Sequence, residues 1–242
     1  MSGSRPPEGW WFDLRRAVYG PRRDRFERFV RVLCRPILAV TTRVTFLHRG
    51  RVPAAGGFLL AANHTSPFDI PGLMYACPRL IDFVSTVEVM GVPGVGAFYR
   101  LFNTITLDRG KVDSTAVRAI VARLKAGRGV GMFPEGRITP EADSVLNGGA
   151  FRPGFGRIAR LADVPVVPVA ILDTKNMAGF SAWLPLKRTR FRVAFGEPLF
   201  IRSDLESREA QREIEERWRV AVVSLAGELR GRRAGPPGDP SP

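Results

Sequence analysis

Apolar positions along the chain follow two rhythms, one with the 3.6-residue period of a helix and one of short runs bounded by glycine, proline and polar turns. Trp10, Trp11, Leu14 and Val18 share one helical face with Arg15 and Arg16 beside them, and Gly20-Pro21 ends that segment. A second stripe follows in Phe26, Phe29, Val30, Leu33, Cys34, Ile37 and Leu38, with Arg22, Arg23, Arg25, Arg28, Arg31 and Arg35 on the other face. Pro36 is expected to kink or end this helix. Short runs read as strands at 43–48, 57–62 (GFLLAA), 80–85, 103–110, 129–133 (GVGMF), 164–171 and 190–195. Pro165 and Pro168 suggest an irregular or edge position for the sixth run. Helices are expected from Asp69 to Tyr75, over 113–126 with Asp113 or Ser114 as cap, over 155–162, and along Ile214, Trp218, Val222, Leu225 and Leu229. Gly91, Gly94 and Gly96 around Pro93 mark a flexible connection.

Strands alternating with helices predict an α/β fold, a mixed and largely parallel sheet flanked by helices. The basic stripes in front of it fit an N-terminal amphipathic two-helix membrane-surface element, or equally helices that pack on the domain with their arginines as a solvated face. Three units follow: residues 1–42 as the amphipathic helices, 43–230 as one catalytic domain, and 231–242 as a disordered tail rich in glycine and proline. Three apolar runs end in polar residues, namely His64, Arg109 and the group Glu135, Gly136 and Arg137. Strand carboxyl ends are where ligands collect in open α/β sheets, so these endings point to one site.

His64 stands five positions before Asp69, with Pro67 turning the chain between them. Such a loop lets the carboxylate accept from one imidazole nitrogen while the other faces a hydroxyl group, the arrangement of a general base with its orienting acid. A loop hydrogen bond without catalysis is the simpler reading of the spacing alone.

The surrounding blocks add to this. Asn63-His64-Thr65-Ser66-Pro67-Phe68-Asp69, the segment ending in Asp108-Arg109-Gly110, Phe133-Pro134-Glu135-Gly136-Arg137 and Val164-Pro165-Val166-Val167-Pro168-Val169 occur in that order. Together they resemble the four motifs of the glycerolipid acyltransferases that acylate lysophosphatidic acid. The resemblance covers about residues 45–200 and includes Phe151 to Ala159. It implies acyl transfer from acyl-coenzyme A or acyl carrier protein to the free hydroxyl of a lysophospholipid, foremost 1-acylglycerol 3-phosphate. It also implies His64 as base, Asp69 as its partner, and Arg109, Glu135, Gly136, Arg137, Asn63 and Ser66 in substrate binding. Beyond the thioester co-substrate it implies no cofactor and no metal. One departure bears on the acceptor: the family has a small residue and then arginine after FPEG, whereas here Arg137 follows Gly136 directly and Ile138 stands where arginine is expected. The same chemistry on another lipid or glycolipid acceptor therefore stays open, as does a non-catalytic membrane-binding protein.

Composition changes this picture in few places. At 242 residues with 45% hydrophobic content the chain is long enough for a substantial core. A net charge of +14 suits phosphate-bearing partners, among them a membrane surface of anionic lipid. No helix-turn-helix, zinc-finger or RNA-recognition signature accompanies the charge, which argues against nucleic acid. Cys34 and Cys77 form no CxxC pair, so a zinc site is not expected. With no secretory h-region and no apolar run of membrane-spanning length, the expected location is peripheral, on the cytoplasmic face of a membrane.

Overall fold

The computed structural model describes residues 20–91, 94–108, 113–174 and 189–232. The predicted first helix, Arg109 and the tail from residue 233 lie outside the described residues. In chain order come α1 (Pro21–Thr41), β1 (Thr42–Leu47), β2 (Phe58–Ala62), α2 (Asp69–Ala76), β3 (Ile81–Thr86), α3 (Val87–Gly91), α4 (Val95–Arg100) and β4 (Ile105–Leu107). They are followed by α5 (Ser114–Lys125), β5 (Gly129–Met132), α6 (Phe155–Ala162), β6 (Val166–Leu172), β7 (Thr189–Phe195) and α7 (Ser207–Gly231). The strands form one seven-stranded sheet in the order β1-β7-β6-β2-β5-β3-β4. Among the described strands only β6 and β7 meet antiparallel, and the other neighbouring pairs are parallel.

Continuous apolar runs such as FLLAA form because helices cover both faces of the sheet, so successive side chains of one strand enter opposite cores. Leu59 and Ala61 of β2 join one core with α5, α6 and α7, while Phe58, Leu60 and Ala62 join another with α2. The periodic face of α7 is fully committed to the first core: Ile214, Trp218, Val222, Leu225 and Leu229 are all buried. Trp218 Nε1 donates to the Ala61 carbonyl at 2.9 Å, tying α7 to β2 near the end of that strand.

Three expectations are corrected. The strand with prolines, β6, is central, between β7 and β2. Pro168 is tolerated there because its carbonyl accepts from Gly196 N at 2.8 Å, just past the end of β7, so its missing N–H faces the gap before the bridge between Val166 and Leu199. Pro36 neither ends nor divides α1, which runs on to Thr41. The carbonyl it leaves unbonded belongs to Val32, on the exposed side of the helix. Finally, the glycines near Pro93 flank two short helices. A Cβ at Gly96 would lie 2.0 Å from the Met90 carbonyl oxygen, so this glycine serves close packing of α3 against α4.

Helix α1 is also phased differently from its predicted stripe. Phe26, Val30 and Cys34 pack on the second core, whereas Phe29, Val32, Leu33 and Val40 face outward, each more than half exposed. Arg31, expected among the solvated arginines, turns inward and donates to the Cys77 and Arg79 carbonyls at 3.1 and 2.7 Å. Glu27, also on the inner side, is 1% exposed and lies 3.3 Å from Arg31. One turn earlier, Asp24 bonds Arg128, which in turn clasps buried Asp82 through Nε and NH2 at 2.5 and 2.6 Å. Arg123, 3% exposed, completes the group 3.2 Å from Asp82. These charges hold the start of α1 at the amino ends of β3 and β5. No described helix is long and apolar enough to cross a membrane.

Candidate active site

At the opposite, carboxyl end of the sheet, β2 delivers Asn63 and His64, and the chain turns through Pro67 into α2, whose first residue is Asp69. His64 Nδ1 lies 2.8 Å from Asp69 Oδ2. That same oxygen accepts from the backbone N–H of Thr65 at 2.8 Å and of Ser66 at 2.9 Å. Asp69 Oδ1 accepts from the Thr174 hydroxyl, and the carboxylate is wholly buried. A carboxylate can only accept, so Nδ1 carries the proton of the neutral imidazole and Nε2 is left as the basic nitrogen. Buried and bonded at both oxygens, Asp69 has no freedom to leave the ring.

A second contact holds the imidazole in plane. It stacks on Phe133, with ring centroids 4.0 Å apart and planes inclined by 15°. Phe133 begins the loop after β5, and Thr139 ends the loop's first turn by donating its N–H to the His64 carbonyl at 2.8 Å. The loop thus starts on the side chain of His64 and returns to its backbone.

The other sequence-predicted residues are placed as follows. Asn63 is fully buried, and its amide bonds Ile171 in both directions, accepting at 2.8 Å and donating at 2.9 Å. Both polar ends are thereby occupied in joining β2 to β6. Ser66 is 1% exposed, with its hydroxyl donating to the Thr174 carbonyl and accepting from Phe68 N. Glu135 is buried, with Oε1 accepting from the Ser144 hydroxyl at 2.7 Å and from Val145 N at 3.2 Å. Its Oε2 has no partner among the described residues. Gly136 takes a positive φ of 70°, and its N–H is bonded to the Phe133 carbonyl at 2.9 Å, so it is not free to stabilise an oxyanion. The Val164 to Val169 segment offers little more: Val166 N is bonded to Leu199, and the rest of β6 lies between two strands. Arg137 is exposed, as is Ile138. Of the second motif only Asp108 is described, just past the edge strand β4, where its N–H bonds the Asp113 carboxylate; Arg109 and Gly110 lie outside the described residues.

Thr174 and Phe133 hold the histidine without having been singled out by sequence reasoning. Phe133 stood within a recognised block, and its aromatic side chain next to the end of a buried strand was a usable signal. Thr174 carried none, since it lies beyond the fourth block and reaches Asp69 only through the pairing of β6 with β2.

Comparison with known proteins accords with this geometry. The family model described as Acyltransferase matches residues 43–172, which span β1 to β6 and every contact made by His64 and Asp69 except that of Thr174. The chain is 27% identical over 164 residues to a 1-acyl-sn-glycerol-3-phosphate acyltransferase of Bacillus subtilis (strain 168), covering 67% of this chain and 77% of the relative. It is 28% identical over 205 residues to a lyso-ornithine lipid O-acyltransferase of Brucella abortus (strain 2308), covering 72% and 74% respectively. Among solved structures, the 1-acyl-sn-glycerophosphate acyltransferase PlsC of Thermotoga maritima shares the fold, with a TM-score of 0.66 at 24% identity over 93% of this chain and 90% of that one.

Proposed function

The chain belongs to the acyltransferase family, and we propose that it moves a fatty acyl group from a thioester to the free hydroxyl of 1-acylglycerol 3-phosphate, with His64 as general base. As an enzyme it is an acyltransferase of the 1-acyl-sn-glycerol-3-phosphate type. The observation that carries the finer reading is the bond from His64 Nδ1 to a buried Asp69 that three further donors hold in place. Nε2 accepts the proton of the acceptor hydroxyl as its oxygen attacks the thioester carbonyl. The imidazolium that results is stabilised by Asp69. When the tetrahedral intermediate collapses the C–S bond breaks, and the imidazolium returns its proton to the departing thiolate. The donor is acyl-coenzyme A or acyl carrier protein, and neither a metal nor a further cofactor has a part in these steps.

The reaction belongs at a membrane surface, where the acceptor resides. The outward apolar residues Phe29, Val32, Leu33 and Val40 of α1, flanked by exposed Arg22, Arg25, Arg28 and Arg35, support peripheral binding to anionic lipid. The thioester donors are cytosolic molecules, which favours the cytoplasmic face. A second reading, the same transfer to a lysolipid without a phosphate monoester, is favoured by the likeness to the lyso-ornithine lipid enzyme and by the exposed Ile138 where the family has arginine.

Thiol release from oleoyl-coenzyme A by the purified protein in mixed micelles, with lysophosphatidic acid as acceptor, tests the first reading. Release that depends on acceptor and falls ~10²- to 10⁴-fold in His64→Ala is the expected result. Release that persists in the variant would overturn the role of His64. Turnover confined to phosphate-free lysolipids would overturn the acceptor.

A further inference from the structure

We infer that Arg152, from the loop before α6, supplies the cation for the acceptor phosphate that the displaced arginine of the Phe133–Arg137 block cannot supply. This rests on the reading of the acceptor as 1-acylglycerol 3-phosphate. A phosphate monoester beside His64 needs a fixed positive group, and arginine's planar fork is the side chain best suited to it. Three glycine N–H groups near the loop are already engaged. Gly136 N is bonded to Phe133, while Gly154 N and Gly156 N, at the start of α6, both donate to the carboxylate of Glu215 at 2.7 and 3.0 Å. With these glycines occupied, a cationic side chain is the better source of the contact.

Arg152 meets this need through a contact that no sequence spacing reveals. Its backbone N–H donates to the Pro134 carbonyl at 2.8 Å, fixing it against the turn that carries Glu135 and Gly136. Its side chain then lies across Gly136: a Cβ at that glycine would stand 2.8 Å from Arg152 Cδ and 3.0 Å from Nε. The positive φ and the missing side chain of Gly136 are thus what let the arginine lie there. That turn is itself bound to His64 at both ends, through Phe133 and Thr139. Among the described residues no carboxylate pairs with Arg152, so its guanidinium is free to take a ligand. Arg137 and Arg152 are both exposed, but among the described residues only the Arg152 side chain is in contact with the Gly136 turn.

The test is steady-state kinetics of Arg152→Ala, Arg152→Lys and Arg137→Ala with 1-acylglycerol 3-phosphate and with monoacylglycerol, which has the hydroxyl and no phosphate. For Arg152→Ala the expected result is a rise of ~10- to 100-fold in KM for the phosphorylated acceptor, with a much smaller change in kcat, and no matching rise for monoacylglycerol. Arg152→Lys should recover most of the loss, and Arg137→Ala should have the smaller effect. An unchanged KM in Arg152→Ala, a larger effect from Arg137→Ala, or equal losses on both acceptors would each overturn the assignment. An unchanged thermal unfolding midpoint separates loss of the phosphate contact from loss of fold. If wild-type protein acylates 1-acylglycerol 3-phosphate and these variants do not discriminate, only the role of Arg152 fails. If wild type does not acylate it, the acceptor reading fails first.

Discussion

The imidazole of His64 lies flat against the ring of Phe133, at 4.0 Å between centroids, while its Nδ1 is held by Asp69. One contact sets the plane of the ring and the other sets its rotation, so Nε2 is aimed before any acceptor arrives. Replacing Phe133 by leucine keeps the volume apolar and removes the stacked face. The expected outcome is a ~2- to 10-fold fall in kcat with little change in KM, on the scale of aromatic contacts. Equal kcat values in a side-by-side assay would mean that Asp69 alone orients the ring.

Asp69→Asn should lower kcat by ~10²- to 10⁴-fold, because an amide can present its NH₂ to Nδ1 and select the wrong tautomer. Thr174→Val removes the donor to Oδ1, along with a 3.5 Å contact to the Thr65 hydroxyl, leaving a buried carboxylate oxygen unpaired at a cost of about 1–3 kcal/mol. A fall in kcat that is real but smaller than that of Asp69→Asn, with a lowered unfolding midpoint, is expected. If Thr174→Val matched wild type in both measurements, the hydroxyl would have no part in fixing the acid.

The buried group around Asp82 predicts a large stability effect far from the chemistry. Asp82→Ala leaves Arg123, 3% exposed, without its nearest carboxylate, and loss of one partner from a buried pair costs about 3–5 kcal/mol. Urea unfolding of the variant should show a correspondingly lowered midpoint. A shift within the error of wild type would indicate that Asp24 takes over the pairing.

Glu27 predicts a pH dependence. Burial raises its carboxyl from the ordinary 4.5 to about 7; Arg31 acts against the rise, Asp82 and Asp24 add to it, and the Ile81 N–H lowers it. Because the folded protein holds this proton more tightly than the unfolded chain, the stability that Glu27 contributes is fully present below about 4.5 and is lost as pH rises to about 7, by on the order of 3 kcal/mol at most. Glu27→Gln should flatten unfolding free energy across that window and leave the variant the more stable at pH 8. An identical slope in the two proteins would assign the decline elsewhere.

The outward face of α1 predicts lipid binding that is apolar in strength and electrostatic in onset. Phe29→Ser with Leu33→Ser should weaken co-sedimentation with anionic vesicles by at least ~10-fold, on the scale of burying one large side chain. Added salt should weaken what remains. Binding indifferent to both changes would remove α1 from the interface.

Local features of the chain announced themselves, and distant ones did not. The run from Gly57 to Ala62, the five-residue spacing of His64 and Asp69, and the face of α7 all express periodicities or turns completed within a few residues. Asp82 of β3, Arg123 of α5 and Arg128 of the turn after α5 form one group, and no periodicity marks a charge as buried when its partner lies elsewhere in the chain. The same limit misphased α1. A 3.6-residue stripe identifies an apolar face but cannot tell a core from a solvent-facing surface, and Arg31 turned inward because the Cys77 and Arg79 carbonyls awaited it. Pro168 misled for a related reason: which neighbour its missing donor faces depends on where β7 ends.

The order of the sheet also sets a schedule. β1 occupies an edge and bonds only β7, with Thr42 opposite Thr189, so the strand that follows α1 has no partner until nearly the whole chain has been made. At ~5–20 residues per second this interval lasts on the order of 10 s. Through that interval the carboxyl end of α1, which runs directly into β1, is not yet fastened to the sheet. Membrane binding through α1, as proposed, would then need no completed sheet edge, only the helix itself.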